Sequence, residues 1–187
     1  MIPERLVEKK GDWAAMRAAF RWPDIARFNI ADVACERWAR AHPDKLALRY
    51  LQPDGAVRNY TYVALSHASS RLANALKAKG ISRGDRVAVL LPQTPETLLT
   101  HLAAYKIGAI VVPLFTLFGE DGLRFRLSHS GARALVTDGA NLPKVLNIRA
   151  DLGDLATIFT IDAGHTGAVG FWETLEKASD RCEMADT

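Results

Sequence analysis

Cysteine is scarce in this sequence, and no long apolar run occurs. Cys35 and Cys182 are the only cysteines among the 187 residues, and they allow neither a disulfide framework nor a Cys-x-x-Cys pair, which favours a reducing compartment. The longest stretch without charge, residues 107–119, contains Pro113 and is shorter than the roughly 20 apolar residues of a membrane-spanning helix. We therefore expect a cytoplasmic protein with no membrane span.

An excess of charge of one sign is also lacking. Lys and Arg number 24 against 21 Asp and Glu, which leaves a formal net charge of +3. No basic cluster is longer than Lys9-Lys10, whereas a nucleic-acid binder usually presents a basic stripe, so we expect no nucleic-acid partner. With 49% hydrophobic and 24% charged residues the chain can bury a core, which excludes disorder of the whole chain.

Complete catalytic motifs are missing as well. The five histidines never fall at metal-motif spacing, and neither a Walker A loop nor a Gly-x-Ser-x-Gly elbow occurs. After the apolar run that ends at Leu91, the chain continues Pro-Gln-Thr-Pro-Glu, so a dinucleotide-binding Gly-x-Gly-x-x-Gly fingerprint is absent. The sequence therefore assigns no catalytic residue and no metal ligand.

Residues 1–28 are predicted to form a peripheral segment. Asp12 is the predicted N-cap of a short helix that extends to Phe20, and Pro23 ends this region. We expect the side chains of Trp13 and Phe20 to be buried. Charged residues near the start interrupt any apolar leader, so a secretory signal is not expected. A mitochondrial transit peptide is the alternative, which the scattered acidic residues disfavour.

Helices and a hairpin are predicted next. Asn29 is the N-cap of a helix to about His42. Alternating residues over 46–61, with Pro-Asp-Gly at the turn, predict a β-hairpin. Residues 62–79 show the spacing of an amphipathic helix, which Gly80 ends.

From residue 85 to 161 apolar runs alternate with helical stretches, which is typical of a parallel sheet covered on both faces. The predicted strands are 86–91, 109–113, 134–137 and 157–161. A helix follows each of the first three strands, and a last helix over 172–178 comes after the fourth. Residues 119–128 are ambiguous, because 123–127 alternate like a strand. We choose helix there, since parallel strands need a crossover. The fold class is α/β, with a mostly parallel sheet preceded by helices and a hairpin.

The carboxyl ends of such strands form the rim where ligands bind. The predicted rim comprises residues 93–94, 114–118, 138–141 and 162–164, and helix N-termini there favour anionic groups. Lys144 is the candidate for holding an anion. Phe115 and Phe118 either line a pocket or pack in the core.

Two arginines and a histidine near this region have competing interpretations. Arg124 and Arg126 either clamp a phosphate or form a solvated face paired with Glu120 and Asp121, and the second is favoured. His101 on a helix edge is interpreted as structural, because no partner acid is near it in sequence.

Several segments in order resemble AMP-forming acyl-CoA synthetases of the adenylate-forming superfamily, nearest to the acetyl- and medium-chain branch. They are Tyr-Thr-Tyr at 60–62, Leu-Ala-Asn-Ala-Leu at 72–76, Gly-Asp-Arg-Val-Ala-Val-Leu-Leu-Pro at 84–92, the run 105–114 and the run 130–138. The resemblance covers about residues 29–180, which it identifies as part of an N-terminal AMP-binding domain. Residues 181–187 are then a linker toward a phosphate loop.

The resemblance implies a two-step ligase. A carboxylic acid and ATP form an acyl-adenylate and pyrophosphate, and the thiol of coenzyme A then displaces AMP, with Mg²⁺ assisting.

The family's phosphate loop ending in Pro-Lys-Gly does not occur in this sequence, and neither do its ribose-binding acidic motif, hinge and catalytic lysine. We expect an N-terminal fragment that is inactive alone and binds none of these cofactors tightly. Exposure of its interface predicts self-association. The alternative is a stand-alone, non-catalytic binding or assembly module.

Few site residues carry over. In the acetyl-CoA synthetase branch a Phe-Gly-Gly-Phe segment lies near coenzyme A, and Phe115 and Phe118 match its ends. Thr116 and Leu117 replace the glycines, which puts a close backbone approach to the ligand in doubt. Lys144 is the nearby substitute for the branch's phosphate-binding arginines. Phe115, Thr116, Phe118 and Lys144 are therefore the predicted coenzyme A-side residues.

Overall fold

The computed structural model describes residues 12–21, 26–163 and 166–187. Helix α1 (Trp13–Ala19) comes first, and a π-helical turn at Asp32–Glu36 runs directly into α2 (Arg37–Ala41). The hairpin strands β1 (Leu46–Leu51) and β2 (Val57–Thr61) precede the long helix α3 (Tyr62–Ala78). Then follow β3 (Arg86–Leu90), α4 (Pro95–Lys106), β4 (Ile110–Pro113), α5 (Glu120–Ser130), β5 (Ala132–Thr137), α6 (Leu142–Asn147), a 3₁₀ turn at Arg149–Asp151, β6 (Thr157–Thr160), β7 (Val169–Gly170) and α7 (Phe171–Glu176).

A five-stranded sheet in the order β4-β3-β5-β6-β7 forms the centre, and all its neighbouring strands are parallel. The antiparallel hairpin β1-β2 is a separate two-stranded sheet. The predicted α/β class with a parallel sheet after a hairpin is thus confirmed. Strand β7 was not predicted, because two residues are too short to show a period.

Helices cover both faces of the sheet, as predicted, because successive strand residues point to opposite sides. On β3, Val87 and Val89 pack into one core cluster with the inner faces of α3, α4 and α7. Ala88 and Leu90 pack into the other cluster with α5 and α6. The lobe therefore has three layers, and the carboxyl ends of its strands open toward the loops that precede α4, α5 and α6.

Helix α5 settles the ambiguous stretch in favour of helix. Leu123 and Leu127, one turn apart, are fully buried, whereas Phe125 is 65% exposed. The alternation that resembled a strand comes from exposed side chains between these two contacts. Gly131 ends the helix in the left-handed region (φ 58°), which a residue with a Cβ adopts at a cost.

The peripheral segment agrees with the prediction only in part. Asp12 caps α1 by accepting a hydrogen bond from the Ala15 amide at 2.8 Å. The prediction that Trp13 is buried is wrong: its side chain is 73% exposed, because α1 packs no face against the core and has no buried residue. Phe20 is half-buried. Pro23 and Gly164 lie outside the described residues.

Strand β4 is less buried than its apolar sequence suggested. Ile110 is 52% exposed, because β4 lies at the edge of the sheet and has only β3 as a neighbour. A sequence run shows which residues are apolar but not which strand is outermost. None of the described helices is long and apolar enough to cross a bilayer.

Candidate functional site

The loop between β4 and α5 carries the predicted aromatic pair to the rim. The Leu114 amide donates to the Val89 carbonyl at 2.8 Å, which fixes the start of the loop beside β3. The Phe118 amide donates to the Phe115 carbonyl at 3.1 Å, so the loop turns back on itself. The two rings meet edge to face with centroids 5.7 Å apart. Phe118 packs on the core, whereas Phe115 is 74% exposed.

Lys144, at the start of α6, lies against this same loop. Its Nζ donates to the Thr116 carbonyl at 2.8 Å and to Asn141 Oδ1 at 2.9 Å. Asn141 is buried and is held in turn by Asp138, whose Oδ1 accepts from both the backbone and the side-chain amide at 2.8 Å. The four predicted residues are therefore brought together. An ammonium group has three hydrogens, and no carboxylate of the described residues pairs with this one.

A second cation at the rim is Arg126, for which the sequence favours a solvated position paired with Glu120 and Asp121 over a phosphate clamp. Among the described contacts it pairs with neither acid. Its guanidinium carbon lies 3.9 Å from the centroid of the Phe118 ring, and Nη1 donates to the Gly122 carbonyl at 3.0 Å. Arg124 instead pairs with Asp121 and, at 2.8 Å, with Asp151, as the solvated interpretation predicts. Helical spacing places Arg126 one turn after Gly122, but its contact with Phe118, which precedes α5, depends on the path of the loop.

The chemistry of this cluster is that of recognition. Lys144 and Arg126 carry positive charge, and Phe115 exposes an aromatic ring. Together they suit a ligand in which a phosphate or similar anion is attached to a planar ring that can stack. The carboxylates nearby are engaged in the loops themselves: Asp162 Oδ2 accepts from the Gly139 amide at 2.6 Å. No set of three metal-ligating side chains occurs in the described parts of the chain.

The rim segment 93–94 borders a separate pocket of about 500 Å³. Apolar side chains from the first helical segment, the hairpin and α4 line it, including Ile30, Leu48 and Leu98. Thr94 Oγ1 is buried there without a hydrogen-bond partner. His101 also lines it, with Nδ1 2.8 Å from the Thr97 carbonyl and no acid among its described partners, as the structural interpretation requires.

Residues 35–183 match the family model described as "AMP-binding enzyme". The chain belongs to this family. The resemblance to acyl-CoA synthetases is confirmed by relatives named as such. The acetyl-coenzyme A synthetase of Cryptosporidium parvum is 32% identical over 131 residues, which are 68% of this chain and 19% of that protein. A mitochondrial acyl-coenzyme A synthetase of Homo sapiens is 30% identical over 159 residues, 81% of this chain and 28% of that protein.

Solved structures agree with this assignment. The crystal structure of an acyl-CoA synthetase from Brucella canis matches with a TM-score of 0.79 and 33% identity, over 95% of this chain and 32% of that one. An anthranilate CoA ligase in complex with anthranoyl-AMP matches with a TM-score of 0.77 and 26% identity, over 87% of this chain and 30% of that one. This member of the AMP-binding family thus spans about a third of the solved chains and less of the curated relatives.

Proposed function

We propose that this chain is the N-terminal part of an acyl-CoA synthetase, which joins a carboxylic acid to coenzyme A by way of an acyl-adenylate made from ATP. The match to the Brucella canis acyl-CoA synthetase over 95% of the chain is the observation that carries the proposal. ATP, coenzyme A, Mg²⁺ and the acid are substrates and cofactors of the whole enzyme. The two free thiols suit a reducing compartment such as the cytoplasm.

Within that enzyme the chain contributes to the coenzyme A side. Phe115 offers an exposed ring. Lys144 donates to the Thr116 carbonyl and to Asn141 Oδ1, which uses two of its three ammonium hydrogens and leaves one for a ligand. A phosphate placed there would receive a charge-assisted hydrogen bond, which is roughly twice as strong as a neutral one. Arg126 adds positive charge beside it. No proton transfer is assigned to these side chains, so their role is to bind and orient.

The isolated chain is proposed to be inactive. The sequence contains no Pro-Lys-Gly phosphate loop. With ATP, labelled pyrophosphate and a panel of carboxylic acids, the purified chain should show no exchange of label into ATP. Calorimetric titration with ATP or coenzyme A should show no tight binding, with dissociation constants no better than about 1 mM. Exchange by a preparation free of host enzymes would contradict this part.

The site assignment can be tested in a chimera. This chain replaces the matching third of the Brucella canis acyl-CoA synthetase, and the chimera is first shown to form the thioester. Lys144→Ala should then raise the KM for coenzyme A about tenfold, as expected for loss of a hydrogen bond to a charged group, with pyrophosphate exchange unchanged. Lys79→Ala, on the exposed end of α3, is the control. An unchanged KM for coenzyme A in Lys144→Ala would refute the assignment.

A second candidate is a stand-alone, non-catalytic binding or assembly module. Its support is the exposed apolar surface: Leu117 is 94% and Leu51 67% exposed. Exposed apolar surface favours association, either between copies of this chain or with the rest of a larger enzyme. The gene distinguishes the two candidates, since a reading frame that continues into a phosphate loop supports the ligase and a stop directly after Thr187 supports the module.

A further inference from the structure

Residues 179–187, called the strap below, have no regular secondary structure but lie along α3. Asn74 Nδ2 donates to the Ser179 carbonyl at 2.8 Å and to the Arg181 carbonyl at 2.9 Å. Lys77 Nζ donates to the Glu183 carbonyl at 3.1 Å. Asn74 and Lys77 are three residues apart and so share one face of the helix. That face of α3 therefore holds the strap through backbone carbonyls.

The strap then covers the carboxyl end of α4. The Ala185 amide donates to the Lys106 carbonyl at 2.6 Å. Asn29 Nδ2 donates to the Tyr105 carbonyl at 2.8 Å and to the Ala185 carbonyl at 3.0 Å. The last carbonyls of a helix have no partner within it. The strap supplies one for Lys106, whereas the Tyr105 carbonyl accepts from Asn29 and also from the Gly108 amide at 3.1 Å.

The end of the strap pairs with residues 26–29. The Phe28 amide donates to the Thr187 carbonyl at 2.7 Å, and the Thr187 hydroxyl donates to the Phe28 carbonyl. Arg27 and Asp186 form an ion pair at 2.8 Å. A Cβ on Gly108 would lie 3.2 Å from both Ala185 Cβ and Thr187 Cγ2, and its φ of +69° also disfavours any other residue. The path of the strap is thus fixed closely.

We propose that the strap is a positioning device in which Asn74, Lys77 and Asn29 hold the backbone of residues 179–187 and couple it to residues 26–29. Asn74, Lys77 and Asn29 all donate to backbone carbonyls of the strap, and the side chains of Asp186 and Thr187 add contacts at its end. Its end lies at the amino-terminal edge of the sheet, opposite the rim, since Ile110 donates to Asp85 just beside Gly108. The inference rests on the proposed function in one respect. In the ligase, the strap would fix the position of Thr187 and so the point at which the rest of the enzyme joins this lobe.

Amide hydrogen exchange of the full 187-residue chain, followed residue by residue by NMR, tests the device. In the unaltered chain the amides of Phe28 and Ala185 should be protected. Asn74→Ala removes both of its donated hydrogen bonds, so exchange at Ala185 should rise about tenfold, as expected for the loss of roughly 1.4 kcal/mol. Exchange at Phe28 should rise with it, because the two segments are coupled. His67→Ala, at an exposed position on the same helix, should behave as the unaltered chain.

Three outcomes overturn the proposal. Unprotected amides at Phe28 and Ala185 in the unaltered chain would mean that the strap is not held. Unchanged exchange at Ala185 in Asn74→Ala would mean that the side chain does not hold it. An equal rise at the β3 amides would mean that Asn74 only stabilises the lobe. The experiment contains no ATP, acid or coenzyme A, so its failure leaves the proposed function intact, and pyrophosphate exchange does not bear on the strap.

Discussion

Cys35 is a buried thiol in the π-helical turn, and its Sγ lies 3.7 Å from the Tyr62 carbonyl. Burial raises its pKa to about 11, Glu36 adds to the rise and Lys106 opposes it. The reactive form of a thiol is the thiolate, so we expect Cys35, which is protonated near neutral pH, to react slowly with thiol reagents. Cys182 is only half-buried and donates to the Glu183 carbonyl at 3.4 Å.

Iodoacetamide at pH 8 should therefore modify Cys182 and spare Cys35 in the folded chain. Both thiols should react after unfolding in urea, which serves as the control for reagent and detection. Peptide mass spectrometry measures the fraction modified at each position. Modification of Cys35 at a rate similar to that of Cys182 in the native chain would show that Cys35 is not protected by burial.

Asp85 contributes stability that depends on pH. Its Oδ2 accepts from the Ser82 amide at 2.8 Å and from Arg133 Nη1 at 2.9 Å. Burial alone would raise the pKa of Asp85, but the hydrogen bonds from Ser82 and Arg133 outweigh it and hold the pKa below 3.8. A depressed folded-state pKa means stabilisation that is present above pH 3.8 and lost as the pH falls through the folded value.

Asp85→Asn should lower the free energy of unfolding by about 2 kcal/mol at pH 7, the worth of hydrogen bonds to a charged group. The difference from the unaltered chain should shrink as the pH falls below 3.8 through the lowered pKa of Asp85, where the carboxyl of the folded chain becomes protonated. Urea unfolding at several pH values measures it, with Asp44→Asn at an exposed position as control. If Asp85→Asn lowers the free energy of unfolding by the same amount at every pH, the charge of Asp85 is not the cause of the lost stability.

At the scale of elements, a buried charge network ties α4 to α3 and to the π-helical turn. Lys106 is 1% exposed and donates to the Ser66 carbonyl at 2.9 Å and to Ser70 Oγ at 2.7 Å. Its Nζ lies 2.8 Å from Glu36 Oε1, a contact close enough for an ion pair but poorly directed as a hydrogen bond. Glu36 Oε2 accepts from the Ser66 hydroxyl at 2.9 Å.

Lys106→Met should cost about 3 kcal/mol or more in the free energy of unfolding, because it leaves the Glu36 carboxylate without its cation. Adding Glu36→Gln in the same chain should restore part of that loss, since the remaining amide carries no charge. Chemical denaturation of the two single variants and the double variant measures the coupling. Strictly additive losses would show that the pair does not interact.

For the whole molecule, the exposed apolar side chains predict association. Leu117 and Phe115 project from the rim loop, and Leu51 and Val57 from the hairpin. An isolated two-stranded hairpin is stabilised by packing or further strands, so its free edge and exposed side chains favour a partner.

Light scattering at increasing concentration should therefore show a mass above that of one 20.5 kDa chain. Leu117→Ser and Leu51→Ser together should reduce the mass toward the monomer, because they remove exposed apolar area. Lys79→Ser, also at the surface, should leave the mass unchanged. A monodisperse monomer at high concentration would contradict the prediction.

The elements were largely predictable from the sequence, since their causes are local. Thr61 accepts from the Ala64 amide to begin α3, and Pro95 occupies the first turn of α4. The choice of helix for α5 followed from the need for a crossover, and its two buried leucines confirm it. Trp13 was misjudged because an aromatic residue on a helix predicts burial only when that helix packs on something.

The sequence by itself determined the order of the helices and of every strand except β7, the crossovers and the family, because periodicity, turn residues and motifs lie within a few neighbouring positions. Only the tertiary structure decided that β4 is an edge, that Lys144 holds the Thr116 carbonyl, that Arg126 stacks on Phe118 and that the strap pairs with Phe28. Each of these depends on contacts between residues distant along the chain, or on the backbone path of a loop, and a linear pattern does not encode which distant carbonyl or ring a side chain meets.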